Sequence, residues 1–130
     1  MAAFARLDLD RGALTRAART YSKGMTQKLG LCACLLSRKS LQILDEPMSG
    51  LDPKARALLK RELRSLREQG RTVFFSSHAL ADVEELCDRL AVVDAGRLRF
   101  TGSPRELMAK YACTNVEEAF LACIDEKVAA

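Results

Sequence analysis

No apolar run in this sequence approaches the roughly 20 residues needed to cross a bilayer. The longest, Leu29–Leu36, contains a glycine and two cysteines, so any membrane role has to come through a partner. The basic start and continuous hydrophobic segment of a secretory signal are also missing: Met1–Leu9 alternates charged and apolar residues, which predicts a cytosolic protein. There is no CxxC pair. The five cysteines are an odd set, and Cys32 and Cys34, two apart, point to different faces of a helix. Reduced, mostly buried thiols are expected, with neither a disulfide framework nor a cysteine metal site. Arg56, Lys60, Arg61, Arg64, Arg67 and Arg71 supply much of the formal charge of +4. With no aromatic side chains interleaved among them for base stacking, they read as the wet face of a helix, and no nucleic-acid partner is expected. No internal repeat or low-complexity tract is visible. What is present, 130 residues of which 48% are hydrophobic, is enough for one domain with a core.

Short apolar runs alternate with helical patterns, the mark of an α/β layer structure with a mainly parallel sheet. Three buried strands are predicted, at Leu41–Leu44, Thr72–Ser76 and Leu90–Val93. Between the first two, Asp52 and Pro53 form an N-cap and first helical residue, and Leu58, Leu59, Leu63 and Leu66 recur at helical spacing until Gly70. This predicts a crossover helix that covers the sheet. After the third strand, Asp94-Ala95-Gly96 reads as a tight turn into an antiparallel strand beginning at Arg97. Ser103-Pro104-Arg105-Glu106 is a capping box opening a helix to about Tyr111, and a final helix is expected over Val116–Ile124. At the other end, Ser22 caps a helix that starts at Lys23 and runs toward Leu36.

The chemistry concentrates where these elements end. Leu41-Gln42-Ile43-Leu44 leads into Asp45-Glu46-Pro47. A buried strand cannot hide two acids, so they must emerge at its C-terminal edge, where open α/β sheets bind ligands. One acid can hold Mg²⁺ while its neighbour polarises a water; taken alone, the pair could equally be a helix cap or a surface turn. The sole histidine, His78, follows the strand that the crossover should place beside those carboxylates. A lone histidine is more often structural, but at a strand end next to a candidate Mg²⁺ site it becomes a functional candidate. Upstream, Tyr21-Ser22-Lys23-Gly24-Met25 combines a helix start with a hydroxyl, a lysine and a glycine, a combination able to bind an anion.

In order and spacing, these motifs resemble the ABC ATPase family over nearly the whole chain: a signature motif at Tyr21–Met25, a Walker B strand at Leu41–Glu46, a D-loop at Ser49–Asp52 and a switch histidine at His78. The resemblance implies a partial P-loop NTPase-like (RecA-like) α/β fold and an ATPase using ATP and Mg²⁺. Asp45 would hold Mg²⁺ through water, Glu46 would be the general base, and His78 would contact the γ-phosphate. Ser22, Lys23 and Gly24 would face the ATP of a second subunit in a head-to-tail dimer, with Asp52 in the seam. Transmembrane permease subunits would hold such a protein at the inner face of the membrane, as a cytoplasmic, peripheral component.

Two departures shape the expectation. Lys23 and Met25 replace the first glycine and the glutamine of the usual LSGGQ, and YSKGM resembles a branch of exporter ATPases. More seriously, no G-x-x-x-x-G-K-[ST] occurs anywhere, and no glutamine loop precedes Ser22. The chain is therefore expected to be the C-terminal half of an ATPase domain, inactive without a missing N-terminal half. Its parts would be 1–36, the end of the helical signature subdomain; 37–102, the end of the ATPase core; and 103–130, a helical tail. In the family, the strand leading into the phosphate-binding loop lies between Thr72–Ser76 and Leu90–Val93, so both should be left with an unfilled edge or close up on each other. The alternative function is a non-catalytic interaction module that kept the dimer-facing surfaces. ATPase heads of DNA repair and chromosome organisation fit less well, because coiled-coil and zinc insertions are missing and the tail, from Gly96 through Val116–Leu121, looks like that of transporter ATPases.

Overall fold

The computed structural model describes Leu7, Gly12 and residues 17–126. Most of Met1–Leu9, read above for a secretory signal, lies outside the described residues. The elements follow in the order α1 (Lys23–Leu36), β1 (Leu41–Leu44), α2 (Pro53–Glu68), β2 (Thr72–Phe75), α3 (Leu80–Leu86), β3 (Leu90–Asp94), β4 (Arg97–Gly102), α4 (Pro104–Tyr111) and α5 (Val116–Asp125), after a 3-10 turn at Ala18–Thr20. The chain divides after Ser77 into two compact units.

The first unit is built on a parallel pair. β1 and β2 run side by side in the register Leu41↔Thr72 to Leu44↔Phe75, which requires the crossover that α2 provides. Asp52 caps α2, its side chain accepting from the Ala55 N–H, and Pro53 occupies the first turn, where its missing N–H costs nothing. Ala55, Leu59, Leu63 and Leu66 form the buried stripe of this helix, and α2 packs on β2. In α1, the Ser22 hydroxyl accepts from the Met25 N–H, and Leu31 and Cys32 are buried. Burial, with the Glu62 carboxylate nearby, pushes the Cys32 thiol up.

The expectation of fully buried strands is not met. β1 alternates exposed and buried positions, with Gln42 and Leu44 inward and Leu41 and Ile43 outward, and on β2 Phe74 is likewise outward. Ile43 is 71% exposed and Phe74, its partner across the pair, 62%. Only the inward face of the pair is covered among the described residues. On that face the Gln42 amide, 5% exposed, finds no hydrogen-bond partner among them.

The second unit holds the antiparallel hairpin β3–β4, in register from Leu90↔Gly102 to Asp94↔Arg97 with an irregularity at Val92/Val93. Its two-residue turn uses Ala95 at φ 47° and Gly96 at φ 73°, the doubly positive geometry that matches strand twist. Arg99 closes the hairpin on Asp94 at 2.8 Å. The capping box of α4 is complete: the Ser103 N–H donates to Glu106 Oε2 and the Glu106 N–H to Ser103 Oγ. Val92, Leu107, Val116, Ala119 and Cys123 make the core of this unit.

The fold is thus α/β as expected; among the described residues its strands form two pairs, β1–β2 in the first unit and β3–β4 in the second. Among the described residues β2 and β3 each keep an unpaired edge, the first of the two outcomes anticipated above. All five cysteines are free, and Cys34 is exposed, against the expectation of mostly buried thiols. No described helix is long and apolar enough to cross a membrane.

Candidate active site

The C-terminal ends of β1 and β2 carry the site. Because the register pairs Leu44 with Phe75, the next residues, Asp45 and Ser76, emerge together. The Ser76 N–H donates to Leu44 O at 3.1 Å, extending the parallel pattern one step past the strands. The Ser76 hydroxyl then donates to Asp45 Oδ1 at 2.5 Å and accepts from the Glu46 backbone N–H at 2.8 Å. One side chain just past β2 thereby bonds to both members of the acid pair just past β1. Glu46 adopts φ 43°, a left-handed conformation that non-glycine residues use sparingly.

The chain after Glu46 folds back in consecutive turns. The Ser49 N–H donates to Glu46 O and the Leu51 N–H to Met48 O, while Gly50, at φ 71°, supplies the conformation a side chain would resist. This loop packs against the start of α1. A Cβ on Gly24 would stand 3.7 Å from Gly50 O, the Gln27 amide donates to Pro47 O at 3.1 Å, and Lys28 Nζ donates to Asp52 Oδ2 at 2.7 Å. The hydrogen bond from Lys28, followed by that from the Ala55 N–H, lowers the Asp52 carboxyl to about 2. A cleft of about 330 Å³ opens between α1 and this loop, with Lys23, Gln27, Asp45, Glu46 and Ser49 among its walls.

The first unit therefore brings together Ser22, Lys23, Gly24, Asp45, Glu46 and Asp52. His78, exposed, follows Ser76 by two residues and opens the second unit. Ser76, Gln27 and Lys28 were not singled out as site residues in the sequence. Ser76 could have been found from the strand pairing, since equal-length strands that end on Leu44 and Phe75 place it beside Asp45; the contacts of Gln27 and Lys28 gave no local signal.

An acid pair at the carboxyl edge of a parallel sheet, one oxygen of Asp45 taken by Ser76, suits a hydrated divalent cation and an activated water. No cluster of three or more His, Cys, Asp or Glu that could enclose a metal occurs among the described residues. That donor set matches Mg²⁺, which keeps several of its waters and leans on one or two carboxylates plus substrate phosphates, and does not match a caged zinc.

Comparison with known proteins bears on the family. The family model described as AAA domain, putative AbiEii toxin, Type IV TA system matches residues 6–81. An ABC transporter ATP-binding protein of Synechocystis sp. PCC 6803 is 49% identical over 90 residues, covering 69% of this chain and 25% of that protein. Nod factor export ATP-binding protein I of Rhizobium leguminosarum bv. viciae is 45% identical over 105 residues, covering 81% and 33%. A solved structure of the ATP-binding subunit of an ABC transporter superposes with a TM-score of 0.87 at 27% identity, over 94% of this chain and 51% of that one. The chain thus spans about a quarter to a third of the length of these curated relatives. By these relatives and the matching solved structure, the chain belongs to the ABC transporter ATP-binding family.

Proposed function

We propose that this chain supplies the hydrolytic acids and the partner-facing signature of an exporter-type ABC transporter ATPase, completed by a phosphate-binding half that its 130 residues do not contain. The observation that carries the reading is the Asp45–Ser76–Glu46 arrangement at the end of the parallel pair. Relatives named for Nod factor export, together with the YSKGM signature, favour the export branch.

Asp45 Oδ1 is held by Ser76, which leaves Oδ2 to hydrogen-bond the hydration shell of Mg²⁺. The bound cation would supply charge neutralisation on the β- and γ-phosphates. Glu46, its backbone pinned by Ser76, takes a proton from the water that attacks the γ-phosphorus. By the family resemblance, His78 would be the residue that contacts the γ-phosphate. Ser22, Lys23 and Gly24, at the N-terminus of a 14-residue helix, offer backbone N–H groups, a hydroxyl and a cation to the γ-phosphate held by a second subunit, and Asp52 lies in that seam. The partners are that second ATPase subunit, transmembrane permease subunits and the completing half of the domain. The location is the cytoplasmic face of the membrane, reached through the permease. Functionally, 1–36, 37–102 and 103–130 act as signature segment, ATPase core and tail.

Alone, the chain lacks a phosphate cradle and is inactive, with ATP affinity no better than millimolar, about −4 kcal/mol. The test is Glu46→Gln in a domain completed with the remaining half. Mg-ATP binding is expected to persist while turnover falls about 10²-fold or more. Unchanged turnover would remove Glu46 from the role and the reading with it.

A further inference from the structure

Gly24, Gln27 and Lys28 lie at i, i+3 and i+4 on one face of α1, and each meets the loop that follows the acid pair. Gly24 lies beside Gly50, whose carbonyl oxygen would be in ordinary contact, at 3.7 Å, with a Cβ built on Gly24. Gln27 holds Pro47 O, the carbonyl next to Glu46, at 3.1 Å. Lys28 reaches Asp52 at 2.7 Å. We propose that Gln27 and Lys28 are positioning residues that tie the D-loop to the signature helix, so that both partner-facing elements, and Glu46 behind them, move as one rigid piece. The proposal rests on the function proposed above.

Three features favour positioning over a mere surface contact. The Lys28 side chain is 14% exposed, against 52% for Asp52, so its stem is packed and its reach is directed. Both Asp52 oxygens are committed, Oδ1 to the Ala55 N–H at 2.9 Å and Oδ2 to Lys28. The carboxylate therefore fixes the start of α2 and the flank of α1 simultaneously, and the loop is anchored at its beginning by Gln27 and at its end by Lys28. Gly50 adds a third: its φ of 71° favours glycine, and a Cβ there would be in ordinary contact with Gln27 Oε1 at 3.5 Å, so the loop backbone lies alongside α1. Isolated exposed ion pairs contribute little to stability, so a link of this kind acts through geometry: it conveys a shift of the signature helix, on engaging the partner's nucleotide, to the Glu46 backbone, whose N–H the Ser76 hydroxyl accepts.

The experiment has two arms. In the 130-residue chain, NMR titration follows the Asp52 carboxyl in the wild type, Lys28→Met and Lys28→Arg. Lys28→Met is expected to move its titration up toward the ordinary carboxylate range and Lys28→Arg to keep it low; no movement in Lys28→Met overturns the link. In the completed domain, Lys28→Met and Asp52→Asn, which retains the helix cap, should each lower kcat about tenfold with the ATP KM within about twofold of wild type, and Lys28→Arg should restore it. Wild-type kcat in Lys28→Met, while Glu46→Gln is slow, overturns positioning and leaves the proposed function standing. Wild-type turnover in Glu46→Gln instead defeats the proposed function, and the carboxyl titration still decides whether the link exists.

Discussion

Ser76 Oγ stands 2.5 Å from Asp45 Oδ1, joining residues 31 apart in the chain. The same hydroxyl accepts the Glu46 N–H, so its loss would remove a bond from each acid at once. Ser76→Ala in the completed domain is expected to lower kcat about tenfold or more, and Ser76→Thr, which keeps the hydroxyl, to recover most of it. Equal kcat in the Ala variant and wild type would show that the strand ends alone hold the acids in place.

The start of α1 gives a second test, of the partner-facing surface. Ser22→Arg places a long cation where the helix N-terminus and the Ser22 hydroxyl present donors. ATP-driven dimerisation of the completed domain should be blocked while ATP binding by each monomer is retained. Normal dimers by size-exclusion chromatography would remove Ser22 from the seam.

On the exposed side of the parallel pair, Leu41, Ile43 and Phe74 are 51%, 71% and 62% exposed, next to strands with one unpaired edge each. Such a surface binds hydrophobic dyes and invites strand pairing with other chains. The purified chain should therefore bind such a dye and associate. The completing half of the domain, added in trans, should suppress both, and Ile43→Thr with Phe74→Thr should reduce dye binding. A monomeric chain with a cooperative melt and no dye binding would show that this face needs no cover.

At the C-terminal end, Tyr111 OH donates to Glu126 Oε2 at 2.6 Å and Lys110 Nζ donates to Tyr111 OH at 2.9 Å. The Cys123 thiol, followed by the Glu126 carboxylate, pushes the Tyr111 phenol up to about 12. A raised phenol means the folded state favours the neutral form. Its contribution is complete below the ordinary value of about 10 and is lost as pH rises from there toward about 12. Glu126 is shifted the opposite way, held down by Tyr111 and Lys110, so its contribution is present above the ordinary glutamate range and lost as pH falls below it. In a Tyr21→Phe background, ultraviolet titration should find the remaining phenol well above the ordinary value, and Glu126→Gln should bring it down. A titration that Glu126→Gln leaves in place would mean the clasp between α4 and α5 does not form.

Local chemistry made the elements legible. Asp52-Pro53, Ser22 and the Ser103–Glu106 box announce helix starts through bonds that reach no more than four residues, and the structure places α2, α1 and α4 at those starts. The Asp94-Ala95-Gly96 turn and the apolar run before Asp45 are equally local, and the motif order by itself determined the family. The tertiary structure decided what depends on register and on which faces are covered. Ser76 meets Asp45 only because β1 and β2 pair Leu44 with Phe75. Lys28 meets Asp52, 24 residues on, only because a left-handed Glu46 and Gly50 fold the intervening loop back onto α1. The apolar runs of β1 and β2 predicted strands buried on both faces, because hydrophobicity records that a side chain is to be covered. It does not record what covers it, and among the described residues Ile43 and Phe74 stay open to solvent.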